Sequence, residues 1–125
     1  MTARYFTLDE ANALLGTLRP LMRDILHARQ QIMDARPELW PVLVKAAHNG
    51  GSKHAGELLG QFDVIQRNLR AIQKLGVEVK DLDQGLVDFR SRRDDRDIYL
   101  CWRYDESAVT HWHELDAGFA GRQSL

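Results

Sequence analysis

Apolar residues recur early in the chain at Leu8, Ala11, Leu14, Leu15, Leu18, Met22, Ile25 and Ile32, the spacing of one helical face. Thr7-Leu8-Asp9-Glu10 precedes them. The threonine hydroxyl can accept the amide of Glu10 while the Glu10 carboxylate reaches back to the amide of Thr7, which is a capping box. Pro20 lacks a backbone donor and crowds the carbonyl one turn earlier, yet the apolar phase survives across it. The pattern predicts a helix over about residues 8–35, kinked at Pro20, with two helices joined there as the alternative.

From Arg36 to Ser52 the period fades. Pro37 and Pro41 bracket Trp40, Leu39 and Val42 to Val44 read as a short buried turn, and His48-Asn49-Gly50-Gly51-Ser52 reads as a loop. This stretch is expected to reverse the chain. A second helix is predicted over about residues 53–75, where Ala55, Leu58, Phe62, Ile65, Leu69 and Ile72 alternate three and four apart. That repeat favours shallow packing against the first helix. Gly76 stands where a left-handed C-cap belongs. The result is a long antiparallel helical hairpin over residues 7–76.

Beyond Gly76 the period changes to two. Val77 and Val79 alternate with Glu78 and Lys80, Asp83-Gln84-Gly85 is a turn, and Leu86 to Phe89 forms a second strand. The charged run Arg92 to Arg96 reads as a solvated loop. Ile98, Leu100, Trp102 and Tyr104 then share one strand face, with Tyr99, Cys101 and Arg103 on the other. Asp105-Glu106-Ser107 turns the chain and Val109 to Leu115 returns it. The fold class expected is α+β: one domain over residues 1–125, the hairpin followed by a small antiparallel sheet of three to four strands and a C-terminal loop over 77–125.

Gly76-Val77-Glu78-Val79-Lys80-Asp81, Gly85-Leu86-Val87-Asp88-Phe89, Leu100-Cys101-Trp102-Arg103 and Trp112-His113-Glu114, followed by Gly118-Phe119-Ala120-Gly121-Arg122, form a long motif string. With Tyr5-Phe6-Thr7 and Asn12-Ala13-Leu14-Leu15, it resembles an uncharacterised bacterial family, domain of unknown function 2203, over most of the chain. That family pattern carries a proline where this chain has Arg90 and another near Ser124, so both loops are expected to differ here. The resemblance implies no particular activity and assigns no site.

Composition narrows the function classes. A chain of 125 residues is one domain's worth, and 44% hydrophobic with 28% charged residues is ordinary globular composition. A formal net charge of −1 supplies no overall field for nucleic acid or anionic lipid. The arginines Arg90, Arg92, Arg93 and Arg96 are interleaved with Asp88, Asp94, Asp95 and Asp97, which cancel most of their potential. No apolar run approaches the roughly 20 residues of a bilayer span, no secretory signal opens the chain, and one cysteine excludes an internal disulfide. The expectation is a cytoplasmic protein that binds neither nucleic acid nor membrane.

Two constellations carry candidate chemistry. In His111-Trp112-His113 both imidazoles fall on one strand face and can meet one divalent cation such as zinc. Glu114 points to the opposite face, leaving Asp116, Asp88 or His48 as third ligand. The metal set read from sequence is His111, His113 and Asp116. The opposing reading is two half-exposed histidines on an edge strand. The second constellation is a polar pocket of Asp88, Arg103, His113, Asp116 and Arg122. A carboxylate beside an imidazole holds its tautomer, arginine forks dock a small anionic ligand, and the glycines of 118–121 allow close backbone approach. The opposing reading is ion pairs that tie the C-terminal loop to the sheet. Cys101, between Leu100 and Trp102, reads as an inert core thiol. Gly50-Gly51-Ser52 lacks a phosphate-loop pattern, with Lys53 wrongly placed, and reads as a flexible connection.

The functional reading is a small ligand- or divalent-metal-binding module with its polar site in the C-terminal β unit. No strong catalytic motif is present, so the reading leans away from an enzyme. The alternative is a structural domain that dimerises through its hairpin, the His/Asp/Arg cluster being purely structural. Two helices over four strands leave an apolar helix flank uncovered, and pairing into a four-helix bundle would bury it. A homodimer is therefore expected, with Leu15, Leu18, Met22, Phe62 and Leu69 as its seam.

Overall fold

The computed structural model describes residues 4–48 and 59–125. The Gly50-Gly51-Ser52 connection and the predicted helix start from Lys53 through Leu58 lie outside the described residues.

Helix α1 (Leu8–Ala35) starts as its sequence dictates. The Thr7 hydroxyl accepts from the Glu10 amide at 3.1 Å, and the Thr7 amide donates to the Glu10 carboxylate at 2.8 Å. The helix runs on as one element through Pro20. The carbonyl that Pro20 leaves without a donor is that of Gly16, and both residues lie on the exposed side, where water can satisfy it. Past Ala35 the chain does more than turn. Pro37–Leu39 form a single 3₁₀ turn and Trp40–His48 form helix α2. Pro41 is tolerated because it sits in the first turn, where its missing amide has no intrahelical partner to lose. Trp40, Leu43 and Ala47 supply the buried stripe of α2. Helix α3 (Leu59–Lys74) buries Phe62, Ile65, Leu69 and Ile72 and packs along α1. It ends at Gly76, whose φ of +86° is the left-handed cap conformation. The helical part is thus α1 and α3 side by side with a third helix between them in sequence.

The sheet is an antiparallel meander of five strands in sequence order: β1 (Glu78–Asp81), β2 (Leu86–Arg93), β3 (Arg96–Arg103), β4 (His111–Glu114) and β5 (Gln123–Ser124). The fifth strand goes beyond the three to four expected; at two residues it is too short to show a period. The run Arg92 to Arg96 is not a loop. Strands β2 and β3 continue through it in register, Ser91 opposite Ile98 and Arg93 opposite Arg96. They are joined by Asp94 and Asp95, both with positive φ (52° and 63°), the signature of a tight primed hairpin turn. The charges hid a hairpin because the exposed ends of two paired strands carry the same residue types as a loop. Arg90 and Ser124, expected in loops, lie in β2 and β5.

Alternation sorts the sheet into two faces. Val87, Phe89, Ile98, Leu100, Trp102 and Trp112 join the helices in one hydrophobic cluster. Burying each such large side chain contributes about 1.5–3 kcal/mol. Leu15, Leu18, Met22, Phe62 and Leu69 belong to this same cluster, at most 4% exposed. The residues nominated as a dimer seam are therefore consumed within one chain, because α1 and α3 cover each other and the inner sheet face together. Among the described residues, no helix is long and apolar enough to cross a membrane.

Gly85 closes the turn before β2 with φ +68°, and a Cβ there would lie 2.8 Å from Tyr104 Cβ and 3.1 Å from Met22 Cγ. The left-handed backbone and the overpacking each disfavour a side chain. Gly85→Ala should therefore destabilise by about 2–4 kcal/mol, lowering the melting temperature by on the order of 10 °C. A calorimetric scan showing a change of less than about 2 °C would contradict this packing.

Candidate functional site

The outer face of the sheet, turned away from the helices, should be wet and charged. At its centre it is dry. Asp88 and His113 are each 2% exposed and Cys101 is 0% exposed. The register explains how they meet. Asp88 on β2 lies opposite Cys101 on β3, and His113 on β4 lies opposite Tyr99, the next outer-face residue along β3. The Asp88 and His113 side chains reach toward each other across β3. The short side chain of Cys101 leaves the room for them to do so.

His113 Nε2 lies 3.1 Å from both Asp88 carboxylate oxygens, and its Nδ1 lies 2.7 Å from the Glu114 carbonyl oxygen. A carbonyl only accepts, so Nδ1 carries a proton and donates it. That leaves Nε2 facing a carboxylate. Unless a proton or a cation lies between them, a lone pair would confront two oxygens. Burial raises the Asp88 pKa above the usual carboxylate value, against the opposing pull of His113. Burial, reinforced by the Asp88 charge, pushes the Cys101 thiol up to about 12. Cys101 is accordingly a protonated thiol at neutral pH, in keeping with an unreactive cysteine, although it faces the polar layer rather than the apolar core.

Two clusters wall this centre. On one side the Tyr99 ring lies 5.5 Å from the His113 ring, its hydroxyl donates to Glu78 at 2.9 Å, and Lys80 and Arg90 sit over its face at 4.7 and 5.1 Å. On the other, Arg122 donates to the Cys101 carbonyl at 3.3 Å and to Glu106 at 2.6 Å. Glu106 also accepts the Arg103 amide at 2.7 Å, and its carboxylate lies 3.8 Å from His111 Nδ1. The Phe119 ring stands by both Arg122 and Arg103, at 4.9 and 5.6 Å, which fixes the 3₁₀ turn Phe119–Gly121 over this end.

The residues predicted from sequence are only partly convergent. Asp88 and His113 are in direct contact, and Arg122 borders them through Cys101. Arg103 instead pairs with Asp105 at 2.6 Å. Asp116 is exposed in the turn after β4, and His111 bonds with the Thr110 hydroxyl at 2.9 Å. Among the described residues, the donor atoms that gather within 4.8 Å of one another are those of Asp88, Cys101 and His113; neither His111 nor Asp116 is among them. Sequence reading missed Cys101, Glu106 and Tyr99 as parts of this assembly. Pairing β2 with β3 from the Asp94-Asp95 turn would have placed Asp88 opposite Cys101, and that was the available signal.

The family model for "Uncharacterized conserved protein (DUF2203)" matches residues 4–125, and the chain belongs to that family. No curated protein and no solved structure matches it.

Two measurements check the electrostatics. A folded pKa above the unfolded one means that Asp88 contributes stability below its ordinary value of 3.8, and that this is lost as pH rises through the folded value. The melting temperature of Asp88→Asn relative to the parent chain should therefore rise as pH goes from about 4 to 7; a flat or falling difference contradicts it. Cys101, near 12 against about 8.5 for a free thiol, should alkylate with iodoacetamide at least roughly a thousandfold more slowly than a model thiol until the chain is unfolded.

Proposed function

We propose that this member of the DUF2203 family binds a divalent transition metal, zinc being the reference ion, through Asp88, Cys101 and His113. The observation that carries the reading is the convergence of three different donor types within 4.8 Å in a buried space. The imidazole is already oriented for this: Nδ1–H is held by the Glu114 carbonyl, which turns Nε2 toward the other donors. A ligating histidine is commonly fixed in this manner by its second nitrogen.

Charge balance supports the same reading. Without metal, the three groups share one proton between Asp88 and His113 and keep another on Cys101, so the set is neutral. A divalent cation replaces both protons, and a carboxylate, a thiolate and a neutral imidazole then balance its two charges. Either state leaves no net charge in a buried place, where an unbalanced one would be costly. Arg122, beside Cys101, favours the thiolate form. Thiolate, imidazole and carboxylate are all ligands zinc accepts, and three protein ligands leave the fourth tetrahedral position to an exogenous donor. The site differs from the His111, His113 and Asp116 set read from strand spacing, sharing His113 with it.

The test is titration of tag-free, chelator-treated protein with cobalt(II) and zinc(II). One equivalent should bind with release of about two protons near neutral pH, and the cobalt form should show a thiolate charge-transfer band in the near ultraviolet. Cys101→Ser, nearly isosteric, should keep the fold and lose that band; His113→Ala should lose binding. Absence of the band in the folded parent chain would overturn the proposal and leave the cluster as a structural tie across the sheet.

A further inference from the structure

A second feature stands apart from the buried trio. A cleft of about 760 Å³ opens between the last turns of α3 and strands β1 and β2. Five cationic side chains line it, Arg4, Arg70, Lys74, Lys80 and Arg90, against one carboxylate, Glu78. In a chain of net charge −1 this is a strong local segregation of charge. Glu78 is already engaged by Lys80 at 3.1 Å and by the Tyr99 hydroxyl at 2.9 Å. Arg90 reaches Asp97 only at 3.4 Å, and that carboxylate is shared with Arg92 and with the Tyr5 hydroxyl. The Arg90 Nε itself is buried and has no hydrogen-bond partner among the described residues, while the rest of the side chain reaches the cleft lining.

Cations also gather at helix C-termini to offset the macrodipole. That accounts for Lys74 in the last turn of α3 and for Arg4, whose guanidinium donates to the Leu75 carbonyl at 2.8 Å. Lys80 and Arg90 stand on the sheet, Lys80 paired with Glu78 and Arg90 with Asp97, and Arg70 is itself engaged, so the cleft is a surplus of positive charge rather than a set of unpartnered groups. Val77 and Val79 add apolar lining between the charges. A long polyanion is disfavoured, because the chain outside the cleft carries net negative charge.

We infer that this cleft binds a small phosphate-bearing molecule of at least two negative charges, with Arg70, Lys80 and Arg90 as its principal contacts. Arginine forks match phosphate oxygens in pairs, and the cleft concentrates five cations against one carboxylate. The inference is independent of the metal reading, since it uses none of its ligands.

The test is a titration of the full chain with pyrophosphate, ATP and citrate at low ionic strength, with a chelator present, followed by amide NMR shifts and calorimetry. Pyrophosphate or ATP should bind with submillimolar Kd and shift the amides of Val77 to Lys80 and of Arg90; which of the two binds tighter tells a bare phosphate site from a nucleotide site. Arg70→Glu should weaken binding by about tenfold or more. Arg67→Glu, the same charge change one turn back on α3 and outside the cleft, should leave it within about twofold. Lys80→Gln serves as the second cleft variant should Arg70→Glu disturb the fold. No binding at millimolar concentration, equal weakening by Arg67→Glu, or citrate binding as tightly as pyrophosphate would each overturn the inference.

Discussion

A carboxylate and an imidazole held out of water must have something positive between them. Asp88 and His113 are in that position, with the second imidazole nitrogen committed to a backbone carbonyl. The arrangement around them follows from this requirement. Cys101 is small, so the two side chains can meet above it. Tyr99 and Arg122 close the sides, which keeps the pair dry. Dryness raises the pKa of both Asp88 and Cys101, because burial disfavours their charged forms.

The sheet thereby acquires two buried faces of different character. The inner face is apolar and closes on α1 and α3 through Phe89, Trp102 and Trp112. The outer face is covered by its own side chains, the long cations and aromatic rings of one strand lying over the next. Arginine stems contribute apolar cover while their heads stay paired, so a face written in polar residues still excludes water at its centre. Such a layer holds the trio in place with no helix over it among the described residues. The cationic cleft lies at the margin of this layer, where Glu78, Lys80 and Arg90 belong both to the wall around Tyr99 and to the cleft lining.

Much of the local structure was legible in the residues. The capping box, the apolar stripes of α1 and α3, the left-handed Gly76 and the alternation of β3 each depend on neighbours a few positions away, and each is present. The second helix of the set was not legible, since two prolines mask nine residues whose helicity depends on packing Trp40 and Leu43 into the core. Nor was the hairpin at Asp94-Asp95 plain, although aspartate tolerates a positive φ, because the charged residues flanking it are the types that also make a solvated loop. Leu15, Leu18, Met22, Phe62 and Leu69, expected at a seam, are buried inside the chain because α1 and α3 close on each other and on the sheet.

The sequence by itself determined the class of fold, the core faces and the presence of titratable residues near the C-terminus. It also grouped Asp88 and His113, with Arg103, Asp116 and Arg122, in one candidate pocket on chemical grounds. Only the tertiary structure decided which other groups join that pair. Residues two apart on a strand share a face, but whether their donor atoms meet depends on what lies on the neighbouring strands. His111 and His113 share a face and diverge in partners, whereas Asp88, Cys101 and His113 come from three strands and converge. Cross-strand register sets that outcome. Register is a property of the assembled sheet, fixed by turns and burial at a distance, and no local pattern around His113 encodes it.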